Sequence, residues 1–429
     1  MNDLFGKKTY FALFGGFFLL EAILSLWTGL PYDMKIWFNT GKWMQQGLNI
    51  YLPVDHVGYP PLWPLWCDVA YRFYSFSGNI LEVWRFTLKL PLILAHLALA
   101  YVVGDFAVKR FDDKTARKIF LFVLAWSFFI YIGALWGQIN TVSALLTFLA
   151  FYAVVSGRTR IGALLLGAAV TLKIYPLIVL PAFFAYVLKK QDKKEAGKFL
   201  LYACAVPVLF TVFVFAVFQW DFMDFLRTIF YWTPVFESYP AQIQGGCMNF
   251  WSFASLFNLD IAQFWVLRFV WIPVLAIVSL YWFRRQKFDE ADLNLSIISL
   301  FALFMITYGW VTEQTFLDLL PFVFLQIFAY RPKRLHLYFL VFIQILVYAF
   351  SSINGGPFIF KPLLERFAPA TLTMQVLNEA SDQFIWVIRG TLGLIISVSI
   401  GAFLLFLVNP SVLQQTLQRL RQTFGVDSS

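Results

Sequence analysis

Long apolar segments separated by short polar loops make up most of the chain. Segments of roughly 17 to 25 apolar residues recur along its length, and a helix of that size crosses about 30 Å of hydrocarbon. About twelve are present. The fifth and sixth are short and meet at "TLKIYPLIVLP", so the number could differ by about two. The segments lie near residues 11-30, 90-108, 119-135, 140-156, 161-173, 175-188, 199-219, 262-283, 292-310, 315-330, 335-352 and 384-408.

The composition agrees with this pattern. The 429 residues are 60% hydrophobic and 13% charged, whereas about one quarter of the residues of a soluble protein are charged. We therefore predict an all-α polytopic membrane protein. Because little sequence lies outside the apolar segments, we expect one membrane domain over 1-429, with longer outer loops at 31-89, 220-261 and 353-383. Neither a soluble second domain nor a nucleic-acid-binding module has room.

Basic residues predict the orientation. Most of the 33 lysines and arginines lie at the termini and in alternate loops such as "KRFDDKTARK", "KKQDKKEAGK" and "RPKR". The positive-inside rule places these loops and both termini in the cytoplasm. The net charge of +9 then reflects membrane orientation and not a nucleic-acid partner. No small-residue cleavage site follows the first segment, so we interpret that segment as a retained anchor.

The sequence lacks the common motifs for disulfide, zinc and nucleotide binding. The three cysteines, Cys67, Cys204 and Cys247, form no CxxC pair, and no HExxH is present, so neither a disulfide framework nor a structural zinc site is indicated. The sequence also lacks GxxxxGK[ST] and GxGxxG. An ATP-driven pump is therefore disfavoured, and the free energy for any reaction must come from the substrate.

The first outer loop predicts two amphipathic helices. Its polar residues recur at helical spacing opposite an apolar face, which is typical of a helix lying in the membrane interface and beginning at "PYD". A second such helix is expected at 62-74, "LWPLWCDVAYRFY". Together they suggest a platform for an amphiphilic substrate. The polar residues are Lys35, Asn39, Lys42, Gln46 and Asn49, and the apolar ones are Ile36, Trp37, Trp43, Met44 and Leu48.

Asp33 lies where the first segment meets the first amphipathic helix. One interpretation is an N-cap, in which the carboxylate accepts backbone N–H bonds and complements the helix dipole. The other is a catalytic group, since an ionisable residue at the mouth of a membrane bundle is a functional candidate. The two interpretations do not exclude each other.

Other outer loops carry further candidates, each with a structural alternative. "WGQIN" contains Gln138 and Asn140 and could be only a turn. Lys173, in "TLKIYP", could bind a phosphate or serve as an interfacial anchor. Asn249 and Trp251, in the loop "YPAQIQGGCMNFWS", suit sugar hydroxyls and stacking.

Two further candidates carry titratable side chains. Glu313 lies at the outer end of a segment, with Asp318 about one turn deeper. His56, beside Asp55, could transfer protons or only hydrogen-bond to its loop.

Five motifs occur in one order along nearly the whole chain: an acidic residue after the first segment with "FNTGKWMQQGLNIY", then "YPPLWPL", "WGQIN", "LKIYPLIVLP" and "EQTFLDLLPF". This set resembles the GT-C superfamily of membrane glycosyltransferases. Within it the chain is most similar to the mannosyltransferases of glycosyltransferase family 87 and to the catalytic subunit of the first GPI mannosyltransferase.

The resemblance implies a specific activity. Such enzymes take a sugar, here mannose, from a polyprenyl (dolichyl) phosphate and transfer it to a lipid or glycan on the extracytoplasmic side, in the plasma membrane or the endoplasmic reticulum. An acidic residue of the first outer loop is their catalytic base, and Asp33 matches it. The GPI-type relatives have two acids there, separated by one residue. This sequence has one, in "YDMK", which favours a reaction without a metal or other cofactor.

Physical chemistry assigns roles within that scheme. The acceptor hydroxyl attacks the anomeric carbon with inversion, a carboxylate takes its proton, and cations stabilise the lipid phosphate that leaves. Asp33 is the predicted base and Lys173 the preferred cation. The predicted substrate-binding residues are Lys173, Tyr175, Lys35, Lys42, His56, Tyr59, Gln138, Asn140, Asn249, Trp251, Glu313 and Gln314.

A transporter or flippase for an isoprenoid lipid or a small solute is the main alternative, and a ligase moving a whole lipid-linked glycan is a further one. About twelve spans would suit a transporter. Its charges would lie near the bilayer midplane, where Arg268 and Arg389 are the candidates. Against it, the halves of the chain show no convincing repeat.

Overall fold

A computed structural model describes residues 6–52, 57–231, 247–257, 269–309, 311–353, 356–367 and 383–409. The backbone of these residues is helical throughout, without a strand, which confirms the predicted all-α polytopic class. His56 and Arg268 lie outside the described residues.

The described residues form a series of α-helices. They are α1 (Lys7–Trp27), α2 (Pro31–Gln45), α3 (Leu62–Phe76), α4 (Leu81–Arg110), α5 (Asp113–Ala125), α6 (Ser127–Ile130), α7 (Asn140–Val155), α8 (Thr159–Leu172), α9 (Leu180–Lys190), α10 (Lys193–Phe218), α11 (Phe222–Tyr231), α12 (Phe250–Ser255), α13 (Trp271–Arg284), α14 (Glu290–Thr307), α15 (Phe316–Leu325), α16 (Arg334–Ile353), α17 (Lys361–Phe367) and α18 (Gln383–Val408). Tyr131–Trp136 and Gln326–Tyr330 are π-helical, and Tyr175–Val179, Glu313–Thr315 and Gly356–Phe360 are 3₁₀ turns.

Seven helical stretches among the described residues are long and apolar enough to cross a membrane. Within the described residues the predicted apolar segments lie largely on helical backbone, yet several of these helices are shorter than a full span. The number twelve therefore stays a prediction. The seven stretches are Lys8–Trp27, Leu81–Arg110, Asp113–Trp136, Lys193–Phe218, Glu290–Thr307, Arg334–Ile353 and Val387–Val408, and the shorter apolar helices are α7, α8 and α13.

Outward-facing side chains of the bundle are apolar, and polar ones point inward. On α1, Phe11 and Ile23 are exposed, whereas Glu21 is buried and its Oε1 lies 2.7 Å from Nδ1 of His96 on α4. This is the arrangement expected when the surrounding solvent is hydrocarbon, because an ionisable group is costly there unless it finds a partner inside the bundle.

Helix α4 is the scaffold against which helices α2 and α3 pack. Pro91 lies within α4, and a proline cannot donate the backbone bond that the carbonyl of Thr87 would otherwise accept. The indole Nε1 of Trp66 in α3 lies 3.2 Å from the Thr87 oxygen and 3.1 Å from that of Leu88. The proline position is thus the point where α3 is attached to α4.

Replacing Trp66 with phenylalanine is expected to lower stability by about 1–3 kcal/mol, since the freed Thr87 carbonyl is left without its donor. The same substitution in a Pro91→Ala background should cost less, because alanine at that position restores the backbone N–H. Thermal unfolding of the purified protein in detergent measures both. Equal costs in the two backgrounds would contradict this account.

Both helices predicted for the loop after the first apolar segment are present with bounds close to the expected ones, and their position in the membrane interface stays a prediction. Helix α2 begins at "PYD", and α3 covers Leu62–Phe76. The helices pack against each other where α2 has no side chain, because a Cβ on Gly41 would collide with the carbonyl oxygen of Cys67. Ile36, Trp37 and Met44 are buried as the apolar face. Leu48 is exposed and, like Gln46 and Asn49 of the predicted polar stripe, lies beyond Gln45, the last residue of α2.

Candidate active site

Asp33 is held by side chains from the end of the π-helix Tyr131–Trp136 and from the short connection to α7. Its Oδ2 accepts hydrogen bonds from Trp136 Nε1 and Gln138 Nε2, both at 2.6 Å. Leu30 is the N-cap residue of α2, and no side chain caps the helix. The N-cap interpretation of Asp33 is therefore wrong, although its carboxylate still lies in the first turn, where it complements the dipole.

The "WGQIN" segment is more than a turn. The π-helix ends at Gly137, whose φ of +96° is left-handed, and a Cβ there would lie 2.6 Å from Met34 Cε. Glycine is the residue that tolerates both conditions. The tight reversal turns Trp136 and Gln138 towards the start of α2, and α7 begins immediately after it, at Asn140.

Tyr59 extends the network from Gln138. Its hydroxyl donates to Gln138 Oε1 at 3.0 Å, and its ring packs edge-on against Trp37, with centroids 4.8 Å apart. The Lys173 Nζ lies 5.8 Å from the Tyr59 ring centroid and 5.0 Å from that of Tyr175. Two aromatic rings thus flank the ammonium group, an arrangement that stabilises a cation.

Lys173 follows the last residue of α8 and is only 7% exposed, so the interfacial-anchor interpretation does not describe it. Its Nζ donates to Asn140 Oδ1 at 3.0 Å, and Asn140 Nδ2 donates to Asp318 Oδ2 at 2.5 Å. The cation and the Asp318 carboxylate are therefore linked through one amide. Sequence reasoning noted Asp318 but did not make it a site candidate, although a carboxylate in the apolar run "FLDLLPF" is such a signal.

The pKa of Asp33 is raised above its ordinary value of 3.8. Desolvation is the largest cause, because protein surrounds the carboxylate on most sides even though its surface is partly exposed. The hydrogen bonds from Trp136 and Gln138 and the charge of Lys173 act in the opposite direction. A raised pKa makes the carboxylate a stronger base than an exposed aspartate.

Gln138→Ala is expected to move the acidic limb of the kcat/KM pH profile to higher pH. The lost hydrogen bond lowers the pKa of Asp33 in the wild type, so its removal raises that pKa and the base becomes protonated at a higher pH. Gln45→Ala is the matched control, because Gln45 donates to Asp68, away from this network. A limb that stays in place, or moves to lower pH, would contradict the assignment.

The structure brings together Asp33, Tyr59, Gln138, Asn140, Lys173 and Tyr175, whereas His56 lies outside the described residues. Lys35 and Lys42 are exposed on α2. Asn249 Nδ2 donates to the carbonyls of Met305 and Tyr308, and Trp251 Nε1 donates to that of Thr307, so both side chains bond the end of α14. Glu313 and Gln314 are buried in their 3₁₀ turn. Roles for these residues in substrate binding stay predictions.

The chemistry available at this site is proton transfer and charge stabilisation. Asp33 can accept a proton, and Lys173 can stabilise an anion. Among the described residues, no group of three or more His, Cys, Asp or Glu side chains lies together as metal ligands. The site therefore offers a base and a cation held by amide and aromatic side chains.

The site thus combines a carboxylate and a buried lysine within a helical membrane bundle. The family model of glycosyltransferase family 87 matches residues 82–307, more than half of the chain, and the chain belongs to this family. It is thus a multi-pass membrane glycosyltransferase, which confirms the family resemblance. The matched region includes Gln138, Asn140 and Lys173 but not Asp33. No curated protein matches the chain.

Proposed function

We propose that this enzyme transfers a hexose, preferably mannose, from a polyprenyl phosphate to a hydroxyl of a lipid or glycan acceptor on the extracytoplasmic side. The observation that carries the proposal is the network that links the Asp33 carboxylate, through Gln138 and Tyr59, to the Lys173 ammonium. One end of this network suits an acceptor hydroxyl and the other a phosphate.

The environment of Lys173 supports a lipid phosphate donor. The ammonium is nearly buried between two aromatic rings at the end of the apolar helix α8. A prenyl phosphate holds its charge at the membrane surface and its chain in hydrocarbon, so its phosphate would meet a cation at this depth. Partial desolvation strengthens the attraction between the two charges.

The arrangement around Asp33 supports a base. Within the described residues both hydrogen bonds to its carboxylate fall on Oδ2, and Oδ1 receives neither. Fixing one oxygen orients the other towards a reacting group, which is the geometry that general-base catalysis requires.

The proposed reaction is a single displacement. The acceptor oxygen forms a bond to the anomeric carbon, the bond from that carbon to the phosphate oxygen breaks, and the electron pair leaves with the phosphate. Asp33 takes the hydroxyl proton. Lys173 stabilises the extra negative charge on the departing lipid phosphate, so no general acid is needed. One carboxylate acting on one face gives inversion at the anomeric carbon.

The distribution of charge supports an extracytoplasmic site. Asp33 follows the end of α1, whose other end carries Lys7 and Lys8, and α4 runs from this side to Lys109 and Arg110. The positive-inside rule assigns the basic ends to the cytoplasm. The Asp33 end of both helices then faces the opposite side.

The test is a transfer assay with the purified protein in detergent. Synthetic polyprenyl phosphates carrying mannose, glucose or arabinose are supplied with membrane lipid extracts as acceptors, with and without EDTA. Transfer from the mannose donor, unaffected by EDTA, supports the proposal. Transfer from another sugar donor alone would overturn the mannose assignment, and no transfer from any polyprenyl phosphate would overturn the donor class.

A further inference from the structure

Lys89 is a buried lysine that the proposed reaction does not use. It lies in α4 with no exposed surface, and its Nζ donates to the carbonyl oxygens of Thr28 at 2.8 Å, Ala134 at 2.9 Å and Leu135 at 3.1 Å. The Thr28 hydroxyl and the Ser25 carbonyl lie at 3.2 and 3.4 Å. All five acceptors are neutral oxygens. Burying an ammonium group is costly unless it is fully hydrogen-bonded, so this contact set needs a structural reason.

The acceptors belong to the ends of two helices. Helix α1 ends at Trp27 and the π-helix ends at Trp136. The last carbonyls of a helix lack partners within it and carry the negative end of its dipole. One ammonium group therefore serves as hydrogen-bond donor and counter-charge for two helix ends at once, and it joins two parts of the chain that are far apart in sequence.

Both helix ends lead directly into the active site. A short connection leads from Thr28 to Asp33. Directly after Leu135 come Trp136 and Gln138, whose side chains donate hydrogen bonds to the Asp33 carboxylate. A Cβ on Gly137 would lie 3.1 Å from Lys89 Cε, so the lysine stem packs directly beneath the reversal. Lys89 thus fixes the distance between the segment that carries the base and the segment that orients it.

We propose that Lys89 is a positioning residue for glycosyl transfer, which sets the Asp33 carboxylate against Trp136 and Gln138 by joining the ends of α1 and the π-helix. This inference rests on the proposed role of Asp33 as the base. Lys89 touches neither substrate in this scheme. Its effect on the reaction passes through the two hydrogen bonds on Asp33 Oδ2.

A second polar contact between α1 and α4 provides a matched control. His96 lies two turns further along α4, is fully buried, and bonds Glu21 of α1 and the carbonyl of Val123. His96→Leu also removes a buried polar link between these helices, but it leaves the π-helix end and the Asp33 network untouched. Any effect of general loosening of the bundle should appear in both variants.

The experiment compares Lys89→Met with His96→Leu and with the wild type in the transfer assay. Methionine keeps the length of the side chain and removes its charge and donors. We expect a loss of kcat of about 100-fold in Lys89→Met, since a misplacement of about 1 Å can have that effect. The KM for the donor should change by less than about threefold, because Lys173 and its neighbours are unaltered. His96→Leu should lower Tm without either change.

The pH profile separates positioning from general destabilisation. Loosening the Trp136 and Gln138 bonds raises the pKa of Asp33, so the acidic limb of kcat/KM should move to higher pH in Lys89→Met and stay in place in His96→Leu. Tyr59 and Lys173, the other titratable groups facing Asp33, are present in both variants. A shift in both variants, or in neither, would overturn the inference.

A double-mutant cycle with Gln138→Ala tests the route of the effect. If Lys89 acts through the orientation of Gln138, Lys89→Met should cost clearly less in the Gln138→Ala background than in the wild type. Losses that simply multiply would overturn the positioning role. A direct effect of the Lys89 charge on Asp33 would persist in both backgrounds, so the cycle also distinguishes that explanation.

A readout without activity keeps the inference separate from the proposed function. The amides of Gly137 and Gln138 donate to the carbonyls of Ile132 and Gly133, and their hydrogen exchange should accelerate in Lys89→Met but not in His96→Leu. If exchange is faster in Lys89→Met but the wild-type enzyme transfers no sugar from any polyprenyl phosphate, the structural role of Lys89 is supported and the donor assignment is refuted. Unchanged exchange in an active enzyme would refute the role of Lys89 alone.

Discussion

Asp33→Asn is expected to lower kcat by about 10² to 10⁴, the usual contribution of a general base. Asparagine has nearly the same shape and still presents an oxygen to Trp136 Nε1 and Gln138 Nε2, so the local fold is retained while the proton acceptor is lost. The measurement is sugar transfer from a polyprenyl-phosphate donor at saturating acceptor. Thermal unfolding of the same preparations checks that the variant remains folded.

Asp221→Asn is the matched control for the base. Asp221 is exposed before α11, where its Oδ1 accepts the backbone N–H of Met223, and asparagine makes the same bond. Its activity should equal that of the wild type. Full activity in Asp33→Asn would contradict the base assignment, and equal losses in both variants would show that outer-side carboxylates act by another route.

Much of the helical architecture can be predicted from sequence because apolar periodicity determines it. The beginning of α2 at "PYD" and the range of α3 follow from amphipathic spacing and from proline. The shorter helices α7 and α8 show where this reasoning stops. Their length alone does not say whether they cross the bilayer or end inside it, since that depends on the neighbours against which they pack.

Most contacts of the site could not be predicted in the same way. Asp33 bonds residues 103 and 105 positions away, and local patterns carry no information on such pairs. Asn249 and Trp251 have a composition that suits sugar binding, yet the structure uses their side chains to bond the carbonyls at the end of α14. Composition indicates which side chains can bind a sugar, whereas tertiary packing decides which are free to do so.

Lys89 shows a signal that sequence reasoning could have used. A lysine inside an apolar helical segment is costly and marks a site that compensates it. The sequence alone does not reveal that the compensation comes from two helix ends, because backbone carbonyls leave no mark in the side-chain pattern. The Thr87 carbonyl is a second case. Pro91 implies from sequence that this carbonyl lacks its helical partner, but only the structure shows that Trp66 donates to it.

Lys173→Met is expected to lower kcat by about 10² to 10³, as observed when one electrostatic donor to a developing charge is removed. The lost ammonium group would otherwise stabilise the negative charge that appears on the departing lipid phosphate. Lys118→Met, at an exposed lysine of α5, is the control and should leave kcat unchanged. The measurement is single-turnover transfer, which separates the chemical step from donor binding.

Asp318 provides the test that distinguishes a phosphate partner from a structural cation. Lys173 is also linked to Asp318 through Asn140, so its removal leaves a buried carboxylate without its counter-charge, and that alone could disturb the site. In the double variant Lys173→Met/Asp318→Asn this uncompensated charge is absent.

The two roles of Lys173 predict different activities for the double variant. If the lysine serves mainly to neutralise Asp318, activity should return towards that of Asp318→Asn. If the lysine binds the leaving phosphate, the double variant should stay as slow as Lys173→Met, because neutralising Asp318 supplies no cation to the substrate. A full recovery would therefore refute the phosphate role, even if the thermal stabilities of the single and double variants were the same.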